Sequence, residues 1–233
     1  MTALPGHRLA AVVTLPVAEH AAASLQPLAD RSPLARVVDD CLEAVADPAA
    51  IVVAVAEHLG DDVRASLARD GLDGVNVEVV AGLAGRPQCL IAALERIVAE
   101  PVSASLVLVY DVRQPLTPSN LTQRVVERLM QGAPVVLPVL PVTDSVKVVD
   151  ERGVVTASLD RSTLQAVQYP RGFTVDHLGR LLDDSVAEFD EAVEAFGSTV
   201  PIVTVEGDAE AVVVDLPHDR AFLEAVIAGR SAR

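Results

Sequence analysis

Short apolar runs rich in β-branched residues alternate with helical stretches along the chain, and this alternation constrains the fold more than any other feature. The predicted strands lie at residues 9–15, 51–55, 75–80, 106–110 and 133–140. The predicted helices between them lie at about residues 34–46, 59–69, 87–100 and 118–130. Most of these strands are continuous apolar runs, as in parallel sheets that are covered on both faces. The pattern predicts a doubly wound, mostly parallel α/β sheet with right-handed crossovers.

The pattern changes after Pro141. Residues 145–149 and 154–158 flank Asp150-Glu151-Arg152-Gly153, which is a hairpin turn signal. A two-stranded hairpin is marginal alone, so we expect it to pack on another body such as a second subunit. The remaining elements are predicted as helices near 174–185 and 190–196, strands near 200–205 and 211–215, and a helix at 219–228. We therefore predict one domain over residues 1–233, with a dimerisation arm at about 143–172.

Composition narrows the function classes. The net charge of −15 argues against a nucleic-acid or anionic-membrane surface. No apolar run approaches the roughly 20 residues that span a bilayer, and residues 1–8 do not resemble a signal peptide, so we predict a cytoplasmic protein. Cys41 and Cys89 lie far apart, which implies neither a disulfide framework nor a cysteine metal site. Lys147 is the single lysine of the chain.

Four stretches of the sequence carry recognisable motifs. Residues 137–147 are similar to the motif Pro-Val-x-Asp-Thr-x-Lys. Residues 153–173 are similar to an Asp-Arg pair that is followed by Gln-Thr-Pro-Gln-x-Phe. Residues 82–94 are similar to Gly-Gly-x-x-Arg-x-x-Ser-Val-x-x-Gly/Ala-Leu, and residues 109–116 to Val-His-Asp-Ala-Ala-Arg-Pro-Leu. In the order and spacing of these motifs the chain resembles the methylerythritol phosphate cytidylyltransferases of isoprenoid precursor synthesis, over about residues 8–228.

The resemblance implies a three-layer Rossmann-like nucleotidyltransferase fold of the nucleotide-diphospho-sugar transferase type. It also implies a homodimer in which the arm reaches the active site of the partner. The implied reaction is magnesium-dependent attack of methylerythritol phosphate on the α-phosphate of CTP, which releases pyrophosphate. Such chemistry depends mainly on positioning and on neutralising negative charge.

On the nucleotide side, the resemblance assigns three residues. Asp111 stands at the position of the magnesium ligand, and Arg86 stands where an arginine could contact phosphate. Cys89 replaces the serine that faces cytosine, and a thiol is a poor hydrogen-bond donor. Two simpler interpretations stay open: Asp111 could cap the next helix, and Arg86 could be a solvated surface residue.

On the substrate side, the resemblance assigns residues of the arm. Ser145 keeps a hydroxyl where the family has threonine, Lys147 is retained, and Arg161 matches the arginine that reaches the substrate phosphate across the dimer. The alternative is that these three residues serve only the architecture of the arm and the dimer. Tyr169 and Arg171 break the Gln-Thr-Pro-Gln motif by bulk and by charge.

The chain departs from the family mainly where the triphosphate is held. The first loop of the family is rich in glycine and is followed by Pro-Lys, whereas residues 15–28 contain no glycine and place Ala23 at the lysine position. His20 is the remaining candidate cation there, although a neutral surface histidine is the simpler expectation. Val213 occupies the second lysine position, and residues 187–189 replace a Thr-Asp-Asp segment.

Two functions are compatible with a chain that keeps some family motifs but changes the residues that hold the triphosphate. The favoured one is a diverged homologue that has lost most or all CTP transfer and acts in binding or regulation, as a homodimer or as a heterodimer with an active relative. The alternative is an active cytidylyltransferase that uses CTP, methylerythritol phosphate and Mg²⁺. No cofactor is expected for the inactive form.

Overall fold

A computed structural model describes residues 8–16, 19–100, 103–183 and 189–231. The strands are β1 Leu9–Leu15, β2 Ile51–Ala56, β3 Asn76–Val80, β4 Leu106–Tyr110, β5 Val135–Pro141, β6 Val146–Val149, β7 Val155–Leu159, β8 Gln165–Val167, β9 Arg171–Thr174 and β10 Ile202–Glu206. The α-helices are α1 Glu19–Ala23, α2 Pro33–Ala44, α3 Gly60–Arg69, α4 Arg86–Val98, α5 Ser119–Met130, α6 Val175–Asp183, α7 Glu191–Gly197 and α8 Arg220–Ser231. None of the helices within these ranges is both long and apolar enough to cross a membrane.

The main sheet confirms the predicted α/β architecture. Its strand order is β10-β5-β9-β4-β1-β2-β3, and β8 adds to β5. The neighbours β4, β1, β2 and β3 are parallel, as are β5 and β10. Strand β9 runs antiparallel between β4 and β5, so the sheet is mostly parallel with one reversed inner strand.

Side chains of the buried strands alternate between two cores, because successive residues of a strand point to opposite faces. In β1, Ala11 and Val13 pack into the core under α2, α3 and α5. Ala10 and Val12 pack into the opposite core under α4, α6 and α7. The result is the predicted three-layer arrangement of helices, sheet and helices.

Strand β9 was not predicted, since its Arg-Gly-Phe-Thr sequence lacks an apolar run. A Cβ at Gly172 would lie 2.8 Å from both Leu129 Cδ1 and Val125 Cγ1, so glycine permits α5 to pack closely over this strand. Because β8 and β9 belong to the main sheet, the projecting part of the chain is shorter than predicted. It consists of residues 143–164, which include the β6–β7 hairpin, and these residues are called the arm below.

The predicted strand at 211–215 is wrong, because this segment forms no strand. The carbonyl oxygen of Ala211 accepts hydrogen bonds from the side-chain amides of Gln114, at 2.6 Å, and Gln168, at 3.0 Å. The backbone N–H of Val214 donates to the carbonyl oxygen of Arg113 at 2.8 Å. These partners replace a neighbouring strand, and they hold the segment beside the loop that follows β4.

Candidate active site

Six charged side chains meet at the edge of the sheet where β4 ends. Four structural elements bring them there: the loop after β4, the start of α4, the start of the antiparallel strand β9, and the residues that open α7. We call this group the charge network. Its members are Arg86, Asp111, Arg113, Arg171, Asp190 and Glu191. The network lies outside the carboxyl end of β4, where doubly wound sheets bind their ligands.

Asp111 is buried, and a forked contact from Arg113 holds its carboxylate. Arg113 Nη2 donates to Oδ2 at 2.7 Å, Arg113 Nε donates to Oδ1 at 3.1 Å, and the backbone N–H of Arg113 donates to Oδ1 at 2.9 Å. Arg86 Nη1 lies 3.7 Å from Oδ2. Burial alone would raise the pKa of Asp111, but the hydrogen bonds from Arg113 and the charge of Arg86 outweigh it and lower the pKa. Asp111 is therefore an ionised carboxylate at neutral pH.

Glu191 is completely buried and links two arginines from different elements. Arg86 Nε donates to its Oε1 at 2.7 Å, and Arg171 Nη1 donates to its Oε2 at 2.7 Å. Arg171 Nη1 also donates to Asp190 Oδ1 at 2.9 Å. The Asp190 carboxylate in turn caps α7 by accepting hydrogen bonds from the backbone N–H groups of Ala192 and of the following residue.

Tyr169 fills the space between the two buried arginines. The Arg171 guanidinium lies 4.1 Å from the centre of the Tyr169 ring, and the Arg86 guanidinium lies 5.4 Å from it. Arg86 Nη2 donates to Tyr169 Oη at 3.1 Å, and Arg86 Nη1 donates to Thr14 Oγ1 at 2.9 Å. Burial raises the pKa of Tyr169, so the phenol stays neutral. Arg86 is thus a mostly buried cation with protein partners, and the interpretation of Arg86 as a solvated surface residue is wrong.

The charges of the network cancel, since three guanidinium groups face three carboxylates. Buried ions need such pairing because an uncompensated charge in the interior costs several kcal/mol. Arg113 differs from the other two arginines because 43% of its side chain is exposed, against 17% for Arg86 and 6% for Arg171. Arg113 is therefore the cation of this network that can move at the lowest cost.

The two family lysine positions hold aliphatic residues in different surroundings. Ala23 packs against a small cluster that contains Leu28, Leu116 and Val214. Val213, which precedes Val214, is 56% exposed. Both positions therefore hold aliphatic side chains where the family motif would supply two ammonium groups, but only Ala23 packs against this cluster, whereas Val213 faces solvent.

The three substrate-side residues lie on the arm and are exposed. Lys147 Nζ donates to Ser158 Oγ at 2.7 Å, and Arg161 donates to the carbonyl oxygen of Thr143. Within the described ranges, no hydrogen bond or ion pair connects Ser145, Lys147 or Arg161 to the charge network. Their role in binding the substrate stays a prediction.

Cys89 is fully buried in the core beneath α4. Burial raises the pKa of its thiol to about 11, although the nearby Arg86 opposes this effect. Contact with a nucleotide would need this part of the core to open, so the nucleotide-binding role of Cys89 stays a prediction that the packing disfavours. The side chain of His20 and residues 187–188 lie outside the part of the chain that the structure describes.

The sequence alone did not show which residues form ion pairs with Asp111 and Arg86. Arg113 stands one position before the arginine of the motif Val-His-Asp-Ala-Ala-Arg-Pro-Leu, and this shift was the available signal. Glu191 had no local signal, since its partner Arg86 is 105 residues away in the sequence. Arg171 and Tyr169 were visible as departures from the motif, but not as members of the network.

Comparison with known proteins decides the family. The family model for 2-C-methyl-D-erythritol 4-phosphate cytidylyltransferase matches residues 18–229. The chain belongs to this family. The predicted resemblance is therefore confirmed, and the charge network can be compared with the motifs of the cytidylyltransferase family position by position.

Curated relatives carry the same name. A 2-C-methyl-D-erythritol 4-phosphate cytidylyltransferase of Frankia casuarinae is 40% identical over 187 residues, which are 79% of this chain and 63% of the relative. The protein of that name from Rhodococcus jostii is 38% identical over 197 residues, which are 83% of this chain and 81% of the relative. The chain thus spans less than two thirds of the Frankia protein but about four fifths of the Rhodococcus protein.

Solved structures agree with the fold. The 2-C-methyl-D-erythritol 4-phosphate cytidylyltransferase of Thermus thermophilus superposes with a TM-score of 0.73 at 25% identity, covering 95% of this chain and 100% of that one. The 4-diphosphocytidyl-2C-methyl-D-erythritol synthase of Anaerococcus prevotii has a TM-score of 0.75 at 18% identity, covering 96% and 99%. At that identity the second comparison supports the fold alone.

Proposed function

We propose that this chain is a slow cytidylyltransferase, which joins CTP and methylerythritol phosphate into a CDP-linked polyol and releases pyrophosphate. The observation that carries the proposal is the placement of Asp111 and Arg86. Both residues match family motifs, both are charged, and their side chains lie 3.7 Å apart at the carboxyl edge of β4. The identity of about 40% to curated cytidylyltransferases favours this reading over an inactive protein.

The residues of the charge network can neutralise a phosphate group. Arg113 is half-exposed, so its guanidinium can turn from Asp111 to phosphate oxygens, which match its forked geometry. Arg86 stays fixed by Glu191 and Tyr169, and it supplies a positive potential that does not have to reorganise during the reaction. Arg113 would thus contact the phosphates of CTP, and Arg86 would add its fixed positive potential, while the substrate phosphate attacks.

The residue types at this site fit a divalent cation, provided that Arg113 moves away from Asp111. Mg²⁺ is usually held by one or two carboxylates together with phosphate oxygens of the substrate. Asp111 is ionised and could supply that carboxylate once Arg113 turns away from it. The described residues contain no group of three or more potential metal ligands, so the remaining ligands would come from the nucleotide and water. When bound, the cation would offset the negative charge of the phosphates.

The missing lysines explain why we expect slow transfer. Ala23 and Val213 cannot donate to phosphate oxygens, and removing a single transition-state donor typically lowers kcat by about 10²–10³. The loop of residues 15–28 also lacks the glycines that let backbone N–H groups surround phosphates. The proposed enzyme therefore relies on its arginines for most of the charge neutralisation.

We also propose that a second copy of the chain packs against the arm. Val149 and Val155 are paired across the β6–β7 hairpin and are 57% and 58% exposed. A bare hairpin with exposed valines is unstable in water, and covering these side chains would stabilise it. Replacing both valines with serine should shift a dimer to a monomer in analytical ultracentrifugation, whereas Val193→Ser on α7 should leave the dimer intact. Unchanged sedimentation of the double variant would remove the arm from the interface.

A second candidate function is binding or regulation without transfer. The observation that favours it is the neutral charge network, which leaves no free positive charge for a triphosphate, together with the aliphatic residues at both lysine positions. The two functions differ in product formation. We expect ³¹P NMR to show CDP-linked polyol and pyrophosphate when the protein is incubated with CTP, Mg²⁺ and methylerythritol phosphate. The same incubation with Asp111→Ala should give neither product, and no product from the wild type would favour the second function.

A further inference from the structure

Arg113 occupies the place on Asp111 that a divalent cation would need. Its guanidinium and backbone N–H together use both carboxylate oxygens, at 2.7 to 3.1 Å. The motif Val-His-Asp-Ala-Ala-Arg-Pro-Leu has alanine at this position and arginine one position later, where this chain has Gln114. Gln114 is buried and serves the structure, since it accepts from the backbone N–H of Tyr169 and donates to the carbonyl oxygen of Ala211.

We infer that Arg113 competes with the divalent cation for Asp111, so that the cation binds only when Arg113 is given another anionic partner. This inference rests on the proposed function, because that function assigns the cation to Asp111. A guanidinium that donates to both oxygens takes up lone pairs that inner-sphere coordination of the cation would use. It also repels an incoming dication, and Arg86 at 3.7 Å adds to that repulsion.

The release of Asp111 Oδ2 needs only a side-chain movement, because the backbone N–H of Arg113 donates to Oδ1. The carbonyl oxygen of Arg113 accepts a hydrogen bond from Val214 N–H at 2.8 Å, which fixes the backbone at this position. The side chain is 43% exposed, so it can rotate into solvent without opening the core. Nucleotide phosphates would offer the guanidinium a new partner at the moment they bring oxygen ligands for the cation. Binding of the cation and binding of the nucleotide are then coupled through Arg113.

The test is Mn²⁺ binding in the absence of nucleotide, followed by electron paramagnetic resonance. The chain has 33 Asp and Glu residues, and exposed carboxylates are general ligands for divalent cations, so the relevant quantity is the binding that disappears with Asp111→Asn. We expect this component to tighten at least about tenfold in Arg113→Met, the factor that one charge-assisted hydrogen bond corresponds to. Methionine keeps an unbranched apolar stem at this position and removes the charge.

The controls separate this effect from a general change in charge. Arg31 makes a similar forked contact with Asp39 on α2, at 2.8 and 2.9 Å, so Arg31→Met removes a matched ion pair elsewhere. It should leave the Asp111-dependent binding unchanged, and the double variant Arg113→Met/Asp111→Asn should lose the gain. Arg113→Lys should fall between the wild type and Arg113→Met, because an ammonium cannot hold both oxygens; it also serves if Arg113→Met does not fold.

Equal Mn²⁺ affinity in the wild type and the Arg113 variants would overturn the inference, as would a gain that persists without Asp111. This outcome is independent of turnover. If the Mn²⁺ series behaves as expected but no CDP-linked polyol forms, the proposed function fails and the competition stands. If product forms but the wild type and the Arg113 variants bind Mn²⁺ with equal affinity, the proposed function stands and Arg113 does not compete with the cation.

Discussion

The charge network and the arm both contain residues that match family motifs, but the two regions hold their charged residues in opposite ways. In the network, Glu191 is fully buried and contacts two arginines within 2.7 Å. On the arm, Lys147 and Arg161 are exposed, and their hydrogen bonds among the described residues go to Ser158 and Thr143 of the arm itself. The charge network has therefore paired its ions, whereas the arm keeps its cations available.

This difference follows from solvation. A buried ion needs a partner because water no longer compensates its charge, whereas an exposed ion gains little from a partner. Substitutions of the most deeply buried network residues, Glu191 and Arg171, should therefore act mainly on stability, and substitutions on the arm should act mainly on binding.

Glu191→Gln should give the largest loss of stability. The amide cannot neutralise Arg86 and Arg171, which would stay buried without this counter-ion. We expect the free energy of unfolding in urea to fall by about 3 kcal/mol, at the lower end of the range for breaking buried ion pairs. Glu194→Gln on the same helix is the matched control and should change it by less than about 0.5 kcal/mol. A small loss for Glu191→Gln would mean that the two arginines are solvated.

Val213→Lys should restore part of the missing charge at the nucleotide side. Val213 is exposed, so a lysine can enter without disturbing the core. We expect the rate of pyrophosphate release to rise by about ten- to a hundredfold, less than the usual value of one optimally placed donor. Val193→Lys on α7 adds the same charge at another exposed valine and should leave the rate unchanged. Equal rates for both variants would place the nucleotide elsewhere.

Asp40 on α2 tests whether the pairing of buried charges extends beyond the network. Burial of its carboxyl group, and then repulsion from Glu43 and Asp39, raise its pKa to about 8. Its Oδ2 is buried and has no hydrogen-bond partner among the described residues. Asp40 is thus an unpaired acid that avoids the cost of burial by keeping its proton.

The sign of the pH dependence follows from this raised pKa. Between about pH 4 and pH 8 the folded protein keeps the proton while the unfolded chain releases it, so the stability falls as the pH rises through this window. Asp40→Asn should flatten this dependence and be more stable than the wild type at pH 8, by more than about 1 kcal/mol in urea unfolding. The exposed Asp61→Asn should follow the wild-type curve. If the stability of Asp40→Asn fell with rising pH as steeply as that of the wild type, the raised pKa of Asp40 would be contradicted.

Lys147→Ala should have the smallest effect on stability, under about 0.5 kcal/mol, because the residue is exposed. Its effect should appear in binding, as a several-fold higher KM for methylerythritol phosphate with an unchanged KM for CTP. Arg152→Ala in the hairpin turn changes the arm by one charge as well and should leave both KM values unchanged. Unchanged KM values for Lys147→Ala would limit Lys147 to the architecture of the arm.

The fold was predictable where local sequence and tertiary structure agree. The apolar runs of β1, β2 and β4 were sufficient to predict a parallel sheet, and Asp111 followed as a residue at its carboxyl edge. The same reasoning failed at residues 211–215, where a valine-rich run resembles a strand but makes its hydrogen bonds to two glutamine side chains and to Arg113. Tertiary contacts override β-propensity there.

The site was predictable only in part, because its residue types are local but their pairing is not. Asp111 and Arg86 could be identified from motifs, whereas the contact between Arg86 and Glu191 joins distant parts of the chain. The reversed strand β9, which brings Arg171 to the site, also lacks an apolar pattern. A sequence shows which charges exist, but the folded chain decides which of them neutralise each other.

The most direct test of cytidylyl transfer at the charge network is the rate of pyrophosphate release from CTP, Mg²⁺ and methylerythritol phosphate at high protein concentration, for the wild type and for Asp111→Ala. We expect slow release that requires both substrates and disappears in the variant. No release from the folded wild-type protein, or equal release from both proteins, would contradict the assignment of cytidylyl transfer to the charge network.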